Sequence, residues 1–554
     1  MKKSIINCTL VLSILLSLNL IPQCTNTINV FNPSFLRYLS YERNNTTSSV
    51  NPYIKNPTVP NYLYIIKDVN MTKAERTMIV TLQGLVASKS NHQIYTLNES
   101  EPDYKVWLDD LNDKYNIDYK YIDNPWDLID IFKSYVDGYV LYNLNSSMDP
   151  SINNACSLAS LKNSIAIDAS LEPSVKNHGI IKLIGDCRNT KENWAFENLW
   201  NLGLNHSTVI QLPPNKEHAL RDYSILTKSL VFYEDSISDV SLRKRIFNSI
   251  DENGICLGWG PDEHTNVSVA SKYGVSIIAA DWSYNLSVLS SFPSIPLCQG
   301  SSEMIPTEED VHYLTFMMSD GDNQQWLLGS NYTSDKWFGS KLRDNLSLGW
   351  SLSPSIYYLA PTIFNKYYDT AKNDYFSVAP SGNGYIYPSK YPKGKLKSFT
   401  KELNNYMQKV DEKYVIVIDD ESFYNTNLWD NYTSHNNING LFYLNFNKNN
   451  DYNGDIIWSN NKPIVSCRDL LWEGLESEDD LINNVVNRIN SGSTDIKNKD
   501  AYTMVYVHVW TKDLNNVNYA ISKLNENPKV RIVNPNIFME LINENLSLDN
   551  NKSR

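Results

Sequence analysis

The sequence predicts an α/β protein in two parts, an N-terminal α/β domain followed by a C-terminal β/α barrel of TIM type. Three observations carry this. Short apolar runs of strand length alternate with stretches of helical period along most of the chain, as parallel strands joined by helices do. Eight such runs fall in the second half, the number a β/α barrel places in about 250 residues. With 554 residues the chain also exceeds one ordinary core.

Taken in order, Lys2 and Lys3 precede an apolar run from Leu10 to Ile21, which reads as a signal peptide over 1–24. Asn19 and Pro22 interrupt that run before the roughly 20 residues a membrane span needs, and no later segment approaches that length. The expected location is therefore secreted, extracellular or in an endomembrane lumen. Thirteen Asn-x-Ser/Thr sequons past the signal predict a glycoprotein in any host with the machinery. Of seven cysteines, Cys8 leaves with the signal, and the rest form no C-x-x-C pair. No zinc or redox motif is indicated, and one or two disulfides are expected within the N-terminal half.

Residues 25–61, rich in Asn, Thr, Ser and Pro, read as a leader with little structure of its own. The N-terminal domain is expected over 62–300. Its strands are predicted at 62–66, 138–142, 164–167, 180–184, 208–210, 230–233 and 275–280. Thr72 and Glu75 form a capping box that opens a helix carrying Met78, Ile79, Leu82, Leu85 and Val86 on one face. No nucleotide-binding glycine motif is present. The loop from Cys256 to His264 is the polar loop most worth watching in this half, and it reads first as a turn.

The Pro- and Ser-rich connection 293–307 places a boundary near residue 300. Beyond it the eight strands are predicted at 311–318, 347–351, 375–379, 414–418, 440–444, 463–466, 503–509 and 530–533. Ser477 and Asp480 cap a further helix. The barrel is expected over 301–545, with a short tail after it.

Residues just after barrel strands share one face, where the chemistry of such folds sits. Here they include Asp320, Asp322 and Asn323, the loop from Gly382 to Pro388, Asp419 and Asp420, and His508 with Trp510. Glycosidic cleavage requires one carboxylic acid to protonate the leaving oxygen and a second carboxylate to activate water or attack the anomeric carbon. The catalytic candidates are accordingly Asp320, Asp322, Asp419 and Asp420. Asn323, Trp350, Gly382, Asn383, Gly384, Tyr385, Tyr387, His508 and Trp510 are candidates for substrate binding, the glycines allowing close backbone approach and the aromatics offering ring faces. The same glycine-tyrosine segment also reads as a tight turn whose rings pack inward.

A net charge of -13 argues against a nucleic-acid partner, while 36 Tyr and 13 Trp suit sugar rings. The expected partner is an oligo- or polysaccharide, without cofactor or metal. Two other readings stand beside this. One is a non-catalytic carbohydrate-binding or cell-surface protein. The other is a metal-dependent, deacetylase-like hydrolase using Asp320, Asp322, Asn323 and His508, although such sites commonly use two histidines.

The segment Gly382-Asn383-Gly384-Tyr385-Ile386-Tyr387-Pro388 resembles, almost literally, the motif that names the GxGYxYP family, described as putative glycoside hydrolases. Ser319 to Asn323, Gly349-Trp350, Ser353 to Ser355 and Val507 to Val509 are similar to other segments of its C-terminal domain. Leu257 to Gly260 resembles part of its companion N-terminal domain. The resemblance spans roughly residues 60–545 and implies a carbohydrate-directed hydrolase. It supplies no catalytic residues of its own.

Overall fold

A computed structural model describes residues 51–54, 57–300, 305–448 and 452–546. The expected signal peptide, most of the leader and the end of the tail lie outside the described residues. Up to residue 300 the chain builds three small parallel sheets. The first holds β1 (Tyr62–Lys67), β2 (His92–Leu97) and β3 (Asp118–Tyr121), with β1 in the middle. The second holds β4 (Tyr139–Tyr142), β5 (Ile165–Asp168) and β6 (Leu183–Asp186), with β4 central. In the third, β7 (Asn205–Gln211), β8 (Ser229–Phe232), β9 (Ile255–Gly258) and β10 (Ser276–Ile278) run in the order β10-β9-β7-β8.

The expected α/β character is therefore present, and the differences have physical causes. The sequence gives no apolar run for β3, an edge strand with mostly exposed side chains, and β9 is four residues long inside a loop that reads as a turn. The strand expected from residue 180 begins only at Leu183, because Ile181 is largely exposed and β6 is an edge. The capping box is formed: Glu75 N–H donates to Thr72 Oγ1 and Thr72 N–H to Glu75 Oε2, at 3.3 and 2.9 Å. It opens the helix Lys73–Ala87, buried from Thr77 onward. Gly84 lets this helix cross Arg221–Thr227 closely, since a Cβ there would lie 2.0 Å from the Asp222 carbonyl oxygen.

The second half forms one curled, half-barrel sheet of ten strands. It holds β11 (His312–Met318), β12 (Leu348–Leu352), β13 (Asp374–Val378), β14 (Tyr414–Asp419), β15 (Gly440–Asn445), β16 (Ile456–Ser459), β17 (Lys462–Ser466), β18 (Asp469–Leu471), β19 (Tyr502–Val507) and β20 (Val530–Ile532). All eight expected strands are among them. β16 and β18 were not expected, and two features depart from eight equivalent staves. β16 pairs antiparallel with β17, and β20 pairs only with the start of β11. Between β17 and β18, Cys467 N–H donates to Tyr443 of β15 and Arg468 N–H to Met504 of β19. One short run thus reaches strands far apart in the sheet order.

A core cluster joins Cys256, Val267 and Ile277 of the third sheet region to Tyr385 and Tyr387 of the second half. Shared burial on this scale fixes the two against each other. Cys156, Cys187 and Cys256 are free and buried, so the disulfides expected in the N-terminal half do not involve them. Three sequon asparagines, Asn266, Asn285 and Asn331, are buried. Asn285 Oδ1 accepts from Gln83 and from the Thr96 N–H, both at 2.8 Å, so it is closed to a glycan in the folded chain. No helix among the described residues is long and apolar enough to cross a membrane.

Candidate active site

A pocket of about 310 Å³ opens between the end of β11, the region after β9 and β10, and the segments following β15, β18 and β19. The Asp-Gly-Asp loop brings Asp320 and Asp322 to its lining. Asp320 takes a positive φ of 61° and Gly321 N–H donates to Ser351 Oγ at 2.8 Å. A Cβ on Gly321 would stand 1.8 Å from the Ser351 carbonyl oxygen, so the turn between the two aspartates admits only glycine. Asp320 accepts from Trp510 Nε1 at 2.8 Å and from the Ser319 hydroxyl. Burial, with the carboxyls of Asp320 and Glu263 nearby, pushes Asp322 well above the usual carboxylate range.

Glu263 lines the same pocket from a different element. It begins the helix Glu263–Tyr273, whose N-terminus is capped by Asp262 accepting from Thr265 N–H at 2.8 Å. Tyr385 O–H donates to Glu263 Oε1 at 2.8 Å. Loss of water around the carboxyl raises its pKa and Asp320 adds to this, while Tyr385 and Lys448 oppose; the net shift is upward.

The glycine-tyrosine segment is a strap. Tyr385 exchanges two backbone hydrogen bonds with Ile277 of β10, at 2.8 and 3.1 Å, and Tyr387 N–H donates to Ser271 Oγ at 2.9 Å. Gly384 lies against β10, where a Cβ would meet the Ser276 Cβ at 2.8 Å. Beyond the strap, Tyr391 O–H donates to the Gly274 carbonyl at 2.8 Å. The motif thus joins the second half to the third sheet region and aims one phenol at Glu263.

The aromatic walls come from several elements. His508 stacks on Trp472 with ring centroids 3.5 Å apart, and its Nδ1 lies 2.9 Å from Thr511 Oγ1. Burial and Lys448 push its pKa down against the pull of Asp320, which favours neutral imidazole. Lys448 Nζ lies 4.4 Å from the centre of the Trp472 ring. Trp510 is 47% exposed and presents its indole at the pocket.

Of the expected residues, Asp320, Asp322, Asn323, Tyr385, His508 and Trp510 line this pocket together. The others lie elsewhere. Asp419 is buried and accepts from Ser389 N–H, Ser389 Oγ and Ser422 Oγ at 2.7–2.8 Å. Burial raises its pKa. Asp420 pairs with Lys390 and with His264, whose Nε2 is 3.0 Å away; burial pushes it up, but these partners outweigh it and the net shift is downward. Both aspartates therefore anchor Ser389 and Lys390, the residues that leave the strap. Trp350 is buried and donates to Asp374 Oδ1 at 2.9 Å. Tyr387 is buried, Gly382 packs on Phe399, and Asn383 faces a separate cavity beside Tyr53 and Phe399. Gly384 supports the strap.

Glu263, Trp259, Gln325, Phe446, Lys448, Trp472 and Tyr506, with the apolar Ala279, Ile418 and Leu444, complete the lining and were not singled out as site residues. The signal for Glu263 and Trp259 was the polar loop 256–264, which becomes a strand end once β9 is recognised. Trp472 likewise follows β18. Among the described residues, no group of three or more His, Cys, Asp or Glu side chains is arranged to hold a metal ion.

The comparisons agree with this division. Residues 310–543 match the domain described as "GxGYxYP putative glycoside hydrolase C-terminal domain". Residues 62–134, 136–204 and 206–291 match the first, second and third N-terminal domains of the same family, one for each small sheet. No curated protein matches the sequence. A crystal structure described as that of a "putative hydrolase" from Bacteroides thetaiotaomicron is 31% identical, with a TM-score of 0.83 over 91% of this chain and 98% of its own. With all four of its domains matched in order across 62–543, this chain belongs to the GxGYxYP family.

Proposed function

We propose that the protein is a glycoside hydrolase acting by carboxylate acid-base chemistry in this pocket. The observation that carries the reading is the set of three carboxyls, Asp320, Asp322 and Glu263, around one cavity walled by indoles. Cleavage needs one carboxyl protonated and another available as a carboxylate, and environments that push neighbouring groups apart supply such a division. Asp322 and Glu263 are both pushed toward the protonated form. Asp320 accepts hydrogen bonds at both oxygens and serves as the carboxylate. The cavity lies at the lower end of ligand-site volumes, about 300–1,000 Å³, and exposed indole faces suit pyranose rings.

In this reading the curled sheet plays the part of a β/α barrel, with its site at the strand C-termini. The domain boundary lies near residue 300, and the charged-then-apolar N-terminus directs secretion.

Release of reducing sugar from a panel of glycans and aryl glycosides tests the reaction. Asp320→Asn and Asp322→Asn should each lose at least about 100-fold, while Asp420→Asn, outside the pocket wall, keeps most of the activity. A chelator should leave the rate unchanged. Equal activity in all variants, or binding without turnover, would overturn the reading.

A further inference from the structure

We propose that Glu263, contributed by the third N-terminal domain, is the general acid of the reaction, and that Tyr385 of the glycine-tyrosine strap is the residue that positions it. This rests on the glycoside-hydrolase reading. An acid and a base or nucleophile must flank the scissile bond. Asp320 and Asp322 are two residues apart on one loop after β11 and line the cavity together. Glu263 is on a different domain and faces the same cavity from the helix that follows β9. Of the three carboxyls that line the cavity, it is the one that does not come from the aspartate loop.

Two further observations fit an acid there. The Tyr385 phenol holds Glu263 Oε1 at 2.8 Å, which fixes the rotamer and leaves the second oxygen for substrate. The strap that carries Tyr385 is itself held to β10 by paired backbone bonds, so acid and aspartate loop are aligned through a single clamp between domains. Glu263 keeps contact with solvent even though the pocket screens part of the water from its carboxyl, so it can be reprotonated each turnover. The upward shift of its pKa agrees.

The step balances simply. The bond between the anomeric carbon and the leaving oxygen breaks with its electron pair passing to oxygen, which takes the Glu263 proton and departs as an alcohol. Water supplies the hydroxyl that ends on the anomeric carbon, and its remaining proton restores the acid, directly or by way of Asp320.

Aryl glycosides of graded leaving-group ability, read across pH, separate the roles. Glu263→Gln should lose about 100- to 10,000-fold on substrates with alkyl leaving groups, keep most activity on dinitrophenyl glycosides, and lose the basic limb of the pH profile. Asp320→Asn should lose both substrates alike. Tyr385→Phe removes a hydrogen bond that favours the Glu263 carboxylate, so the basic limb should move up by about one pH unit. Carboxyl-carbon NMR of glutamate-labelled protein should show the resonance missing in Glu263→Gln titrating above the ordinary glutamate range, and higher still in Tyr385→Phe. Turnover by wild type with an unchanged leaving-group dependence and basic limb in Glu263→Gln would overturn the acid assignment alone. An unperturbed titration in the NMR, unmoved by Tyr385→Phe, would overturn the positioning role. If no glycoside is cleaved, the hydrolase reading falls and the acid role with it, while the titration still reports whether Tyr385 acts on Glu263.

Discussion

At the scale of single residues, carboxyls in this protein are sorted by what occupies their oxygens. Asp320 lies just past β11 and Asp419 closes β14, and nothing in the sequence tells their roles apart. Asp419 spends its oxygens on Ser389 and Ser422, whereas Asp320 faces the cavity. Only the folded chain decides this, because the serines arrive from other loops. Glu412 is a third kind. It is buried, accepts from Tyr368 O–H at 3.1 Å and Tyr406 O–H at 3.4 Å, and burial raises its pKa to about 8. A carboxyl whose folded pKa lies above its unfolded value favours the fold while protonated. Its contribution is full below the unfolded value and is lost as pH rises toward about 8. Stability should therefore decline over that window by at most about 1.4 kcal/mol per pH unit from this group. Glu412→Gln should flatten the decline, as measured by urea midpoints from pH 5 to 8; an unchanged slope would show the group is not buried as described.

At the scale of elements, the strap explains why a motif of glycines and tyrosines sits beside the pocket carboxyls while Tyr385 alone of its residues lines the pocket. Gly384→Ala would place a methyl against Ser276 and the Ile277 carbonyl, at 2.8 and 3.1 Å. We expect a loss of roughly 1–3 kcal/mol in stability and a larger loss in activity, because Tyr385 would withdraw from Glu263. Gly394→Ala, in a helix where an added methyl meets nothing within 4 Å, is the control and should be neutral. Denaturant unfolding and turnover measured on both variants test the difference. Strands were legible where both faces are buried, as in β11 and β15, whose seven and six residues are buried throughout. They were illegible where they are short or at an edge, as in β3 and β9, since an apolar run is then neither long nor needed.

For the whole molecule, the half of the site on the β11 loop was legible and the half on the third N-terminal domain was not. Strand-end chemistry is a local pattern, so Asp320, Asp322, His508 and Trp510 could be assembled from the order of strands. The approach of Glu263 depends on how one domain docks on another, and that is encoded in a dispersed surface whose parts, Gly384, Ser271 and Ile277, look unremarkable alone. Docking of this kind makes the candidate site larger than the C-terminal domain.

The free, buried cysteines carry a consequence of their own. Burial pushes the Cys187 thiol up to about 12 and raises those of Cys156, Cys256 and Cys467. A thiol held protonated is a poor nucleophile, so alkylating reagents should pass over all four in the folded protein. One thiol lies in the third sheet region, one in the curled sheet and two in the second sheet region, making the chain its own clock for partial opening. Cys187, which directly follows the edge strand β6, should be alkylated first, with Cys256 and Cys467 later and together, when peptides are followed by mass spectrometry in rising urea. Early labelling of Cys256 alone would mean that the clamp between domains gives way before either domain melts.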